Sequence, residues 1–149
     1  MSSDSGGAEM TEDQEQAYVI RWANTKPWGQ FLIHIANETV GGRSRVLRNV
    51  ALGVRKGVPD LLLPIPMHGY HSLWIEMKRL DGGTVSKSQE AWIRALNQMG
   101  HHAVVCHGGA AAIAILSDYM NEPNTDETEH EHGADAPGGG CDQGDQGQA

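Results

Sequence analysis

The sequence predicts an α/β domain in which a mixed central sheet is flanked by helices. Apolar runs too short for helices, each bounded by turn formers, alternate with segments whose apolar residues recur at helical spacing, giving the order α, β, α, β, β, α, β, α. With 149 residues the chain has room for one such domain, not two. Composition sets its borders. Residues 1–10 are small and polar and 121–149 are acidic and glycine-rich, so neither end can bury a core; both are expected to be disordered around a domain at 11–120.

Taken in order, Thr11 offers an N-cap to a helix over Glu12–Ala23. Its acidic first turn suits the positive end of the helix dipole, and Tyr18, Val19 and Trp22 are expected inward. Thr25 to Gly29 breaks that helix, and Phe31-Leu32-Ile33-His34-Ile35-Ala36 reads as a buried strand before a loop at 37–42. From Arg43, the spacing of Val46, Leu47, Val50 and Ala51 gives a second helix with one apolar face, ended by Gly53. Asp60-Leu61-Leu62-Leu63 and Ser72-Leu73-Trp74-Ile75-Glu76-Met77-Lys78 read as adjacent strands joined by a turn-rich segment. Ser86 opens a third helix running to about Met99, with Trp92, Ile93 and Leu96 inward. His102 to Cys106 is a further strand, and Ala110 to Met120 a terminal helix packing through Ile113, Leu116 and Tyr119.

The strand pair is where chemistry concentrates. Side chains alternate faces along a strand, so Glu76 and Lys78 are neighbours on one face, opposite Leu73, Ile75 and Met77. An antiparallel return brings Asp60 beside Glu76. Two carboxylates and an ammonium converge, a set that suits a hard divalent cation, a phosphoryl substrate and a lysine that orients or deprotonates a water. A bare Glu-x-Lys is more often a solvated ion pair on an ordinary strand, since surface ion pairs are common and weak.

Context separates the two readings. A Pro-Asp opening one apolar strand, followed after a turn by a strand carrying Glu-x-Lys, resembles the PD-(D/E)xK nucleases. The wider set, Gly53-Val54-Arg55-Lys56-Gly57-Val58-Pro59-Asp60, Ile75-Glu76-Met77-Lys78, Ser86-Lys87-Ser88-Gln89 and Gly100, resembles the VRR-NUC family, the virus-type replication and repair nucleases, over roughly residues 10 to 120. That resemblance implies a restriction-endonuclease-like fold, Mg²⁺- or Mn²⁺-dependent phosphodiester hydrolysis, and often homodimers acting on branched or flapped DNA. It implies that Asp60, Glu76 and the Met77 carbonyl hold the metal and that Lys78 positions the attacking water. It adds a metal-site glutamate on the first helix followed four positions later by glutamine, a spacing that Glu12 and Gln16 fit. Glu12 and its neighbour Glu15 also read simply as favourable charges at a helix N-terminus. Gln89 admits two readings as well: the N3 member of a capping box with Ser86, or, by resemblance, an active-site residue near the reacting phosphate. One departure is visible, because Glu38 follows Asn37 where many members carry glycine.

The net charge of −8 opposes DNA binding only in the aggregate. All 11 basic residues lie between Arg21 and Arg94, and residues 21–120 carry a net +5. Arg43, Arg45, Arg48, Arg55 and Lys56, with Lys87 farther on, are expected to contact the DNA backbone, although a solvated helix face explains the cluster equally well. Cys106 and Cys141 are expected as free thiols, and no stretch is long enough to span a bilayer. A soluble protein of the bacterial or phage-infected cytoplasm is expected. No nucleotide-binding glycine fingerprint or zinc spacing is present. Glu129-His130-Glu131-His132 reads as part of an acidic tail, and His34, His68, His71, His101, His102 and His107 as structural or solvent-facing. The rival to a nuclease is a catalytically silent DNA-binding module of the same fold.

Overall fold

The computed structural model describes residues 9–36 and 42–121. The expected disorder through residue 8, the loop at 37–41 with its Glu38 departure, and the tail from residue 122 lie outside the described residues.

Helix α1 spans Glu12–Ala23 and opens with a capping box: the Gln14 amide donates to the Thr11 hydroxyl at 3.3 Å, and the Thr11 amide donates to Gln14 Oε1 at 2.8 Å. Its buried stripe is Glu15, Val19 and Ala23, one residue every four. Tyr18, expected inward, falls beside that stripe and is 44% exposed. Trp22 is half-buried and meets Trp28 edge-on at 5.8 Å.

The strand expected over 31–36 is the largest departure in the fold. Gly29–Phe31 form a turn of 3₁₀ helix, and strand β1 is only Ile33–His34, both exposed. The cause is local. A side chain at Gly29 would collide with the Ala23 carbonyl, so the chain doubles back tightly against α1 and leaves little length to pair at the sheet edge. Of that apolar run, Leu32 enters the core.

Helix α2, Arg43–Ala51, forms where periodicity places it, and Gly53 follows its end at φ +94°, a left-handed conformation suited to glycine. Its apolar face is nevertheless outward: no residue of α2 is buried, and Leu47 and Val50 are 65% and 51% exposed.

Strands β2 (Leu61–Leu63) and β3 (Leu73–Lys78) pair antiparallel with Leu61 opposite Ile75, as expected. Helix α3, Lys87–Gln98, then returns the chain so that β4, His102–His107, pairs parallel with β3. The sheet order is β1-β2-β3-β4. Helix α4, Gly109–Met120, closes the described chain. One core joins Val19 and Ala23 of α1, Leu61, Leu63, Leu73, Ile75 and Met77 of the sheet, and Ala112, Leu116 and Tyr119 of α4. Trp92, Ile93 and Ile113 are half-buried and Leu96 is buried, in keeping with their expected direction. The alternate residue of β3, Glu76, meets α3 through Gln89, so helices cover both sides of the strand that carries the acids. Among the described residues no helix is long and apolar enough to cross a membrane.

Candidate active site

Three elements deliver the carboxylates. Asp60 immediately precedes β2, and the register places it beside the end of β3, where its Oδ2 accepts from the Met77 amide at 2.8 Å. Glu76 projects from β3, and Glu12 is the first residue of α1, which packs against β3. One oxygen from each of the three lies within 4.8 Å of the others. Gly57 makes this approach possible. It sits at φ +88°, and a Cβ there would meet the Ser88 backbone at 2.7 Å, so glycine lets the loop leading to Asp60 lie against the start of α3.

Lys78 binds this oxygen cluster directly. Its ammonium donates to Glu76 Oε1 at 2.5 Å and to the Met77 carbonyl at 2.9 Å, and stands 3.6 Å from Glu12 Oε1. Those oxygens belong to three of the four groups expected to hold a metal. Burial lowers the affinity of Lys78 for its proton, but the Glu76 hydrogen bond and the charges of Glu76, Glu12 and Asp60 together outweigh it, and the ammonium is held above its ordinary range.

Glu76 is fully buried, and burial pushes its carboxyl up to about 7; the Lys78 hydrogen bond opposes this, while the nearby charges of Asp60 and Glu12 add to the rise. Its Oε2 is a buried side-chain oxygen with no hydrogen-bond partner. An orphaned carboxylate oxygen in the interior is costly unless something else satisfies it. Three carboxylates and a main-chain carbonyl are hard donors of the kind Mg²⁺ and Mn²⁺ prefer, so the residues present fit a divalent cation.

Gln89 completes the expected capping box and also reaches a carboxylate of the cluster. Its Oε1 accepts from the Ser86 amide at 2.8 Å, completing the α3 capping box, and its Nε2 donates to Glu76 Oε1. One side chain thus fixes the start of α3 and orients a site carboxylate. Gln16 reaches His34, with Nε2 to Nδ1 at 2.9 Å, and His34 Nδ1 also lies 3.1 Å from the Asp60 carbonyl. His34 therefore borders the site, which its sequence position does not disclose.

Glu15 has a structural role of its own. It is buried, and its Oε2 accepts from the Gly109 amide at 2.7 Å, so a residue of α1 caps α4. The basic residues Arg43, Arg45, Arg48, Arg55, Lys56 and Lys87 are all exposed. Arg55 donates through Nη1 to the Val50 and Val54 carbonyls at 3.1 and 3.4 Å, steadying the end of α2. Lys87 stands two residues before Gln89 at the first position of α3.

Residues 9–110 match the model of the VRR-NUC domain family. A solved structure described as a VRR_NUC domain protein is similar to this chain, with a TM-score of 0.67 and 27% identity over 74% of this chain and 88% of that one. No curated protein matches.

Proposed function

The chain belongs to the VRR-NUC domain family, and from that premise we propose that it is a divalent-metal-dependent nuclease hydrolysing phosphodiester bonds in DNA. The observation that supports this best is the convergence of Glu12, Asp60 and Glu76 on the Lys78 ammonium. In this reading the three carboxylates and the Met77 carbonyl hold Mg²⁺ or Mn²⁺. Such an ion offsets charge on a phosphoryl oxygen and makes a water more acidic. The remaining work belongs to the chain. Asp60 is kept in place by the Met77 amide, and Gln89 holds the reactive edge of Glu76 toward the cluster. Lys78 orients the attacking water and donates to developing negative charge. The exposed cations of α2 and its following loop, with Lys87, contact phosphates on either side of the scissile bond.

Branched or flapped DNA as substrate, action as a homodimer, and a place in the cytoplasm of a bacterium or phage-infected host extend the same reading. The test is incubation with end-labelled linear, flapped and four-way DNA in Mg²⁺, Mn²⁺ or EDTA. Metal-dependent cleavage is expected, together with loss of at least about a hundredfold in rate for Asp60→Asn, Glu76→Gln and Lys78→Ala, since each deletes stabilisation of the transition state and not packing. Tight binding with no cleavage in any metal would identify a silent DNA-binding module instead.

A further inference from the structure

Beside the carboxylate cluster runs an apolar groove lined by Ile35, Leu52, Val54, Val58 and Trp92, with Arg55 at its rim. Three links tie it to the site. The Ile35 amide donates to the Asp60 carbonyl at 2.8 Å. Val58 lies two residues before Asp60, no more than about 7 Å along extended chain. Trp92 stands one turn beyond Gln89 on the same face of α3, and Gln89 reaches Glu76.

The groove is apolar, yet its surroundings are strongly basic. From Arg43 to Val58 the chain carries five basic residues and no acidic one. Leu52, on the groove wall, is 72% exposed, and Leu47 and Val50 of α2 are 65% and 51% exposed. This charge pattern selects the occupant. A second copy docking through the same face would bring five more cations against these five, and an apolar protein partner would leave them uncompensated. A nucleotide satisfies both parts, because its base covers apolar and aromatic surface while its phosphate meets the cations. A base stacked inside a duplex has neither face available.

We propose that this groove receives the base of an unpaired nucleotide next to the scissile phosphate, so that the protein selects DNA with unpaired bases beside the point of cleavage. The proposal rests on the nuclease reading for its account of the neighbouring carboxylates. Trp92 supplies the stacking surface, Leu52, Val54 and Val58 enclose the base, and Arg55 meets its phosphate.

The test is DNA binding by fluorescence anisotropy in EDTA, which reads affinity without cleavage. Three DNAs are compared: a plain duplex, the same duplex with a single-stranded extension, and one whose extension is abasic. Wild-type protein is expected to bind the natural extension about tenfold more tightly than the abasic one. Trp92→Ala should remove that preference without altering affinity for the plain duplex, and Trp92→Phe should keep most of it. Should Trp92→Ala fail to fold, Leu52→Ser at the exposed wall reports the same loss. Equal affinity of the wild type for natural and abasic extensions overturns the proposal. So does a uniform loss on all three DNAs in the variants, or a Leu52→Ser protein that sediments as monomer where the wild type is a dimer, which would give the groove to a second copy. Base-dependent affinity in a protein that never cleaves would overturn the nuclease reading alone; base-independent affinity in a protein that does cleave overturns the groove alone.

Discussion

Glu12 and Glu15 show what one residue's environment decides. Both are acids in the first turn of α1, and helix electrostatics alone treats them alike. The fold separates them: Glu12 reaches Lys78 and the carboxylate cluster, while Glu15 turns into the interior and caps α4. Glu15→Gln keeps an oxygen acceptor and should leave cleavage near wild type, whereas Glu15→Ala orphans a buried amide at a cost of roughly 1–3 kcal/mol. Thermal melts of the two variants check this; a Glu15→Ala protein as stable as wild type would show that the cap contributes nothing. The separation of Glu12 was legible only through the family's spacing. The role of Glu15 was not legible at all, because its partner lies 94 residues along the chain. Gln89 illustrates a different limit: the capping box is legible from Ser86-x-x-Gln89, whereas the bond from the other end of the same amide to Glu76 depends on how α3 meets β3.

At the level of elements, the helices were more legible than the strands. Capping residues mark the starts of α1 and α3, and a left-handed glycine marks the end of α2, so local chemistry sets their limits. The edge strand was misread because an apolar run does not disclose that Gly29 must approach Ala23 so closely. The outward direction of the α2 apolar face was not legible for a related reason: periodicity shows that a helix has an apolar face, not which neighbour covers it. β4 is a central test of the packing. Cys106 is 3% exposed, and burial pushes its thiol up to about 11. Thiolate is the reactive form, so in a Cys141→Ser background Cys106 should resist alkylation at pH 8 and react only when the protein unfolds. Rapid reaction under native conditions would mean that β4 does not sit as described.

For the whole molecule, the separation of charge along the chain is what reconciles an acidic protein with the nucleic-acid partner proposed for it. Eight acidic residues and no lysine or arginine lie beyond residue 121, against a net +5 over residues 21–120. Removing residues 122–149 should therefore tighten binding to duplex DNA at low salt, with the gain shrinking as salt screens it and the melting temperature nearly unchanged. A large fall in melting temperature would instead make the tail part of the fold. The general architecture, a mixed sheet with helices on both sides, was legible because turn formers punctuate each element. The placement of Glu12 beside β3 came from the family's spacing alone, because the packing of α1 against α4 and β3 is a property of the assembled core.

The account depends on Glu12, Asp60 and Glu76 acting together as a metal site, and calorimetric titration of Mn²⁺ into the full chain examines this most directly. Wild-type protein should show one dominant site per chain, weakened at least about tenfold by Glu12→Gln, Asp60→Asn or Glu76→Gln and left within about twofold by Glu15→Gln. Unchanged Mn²⁺ affinity in all three carboxylate variants would contradict the account, leaving the cluster as an ion-paired structural feature of the strand pair.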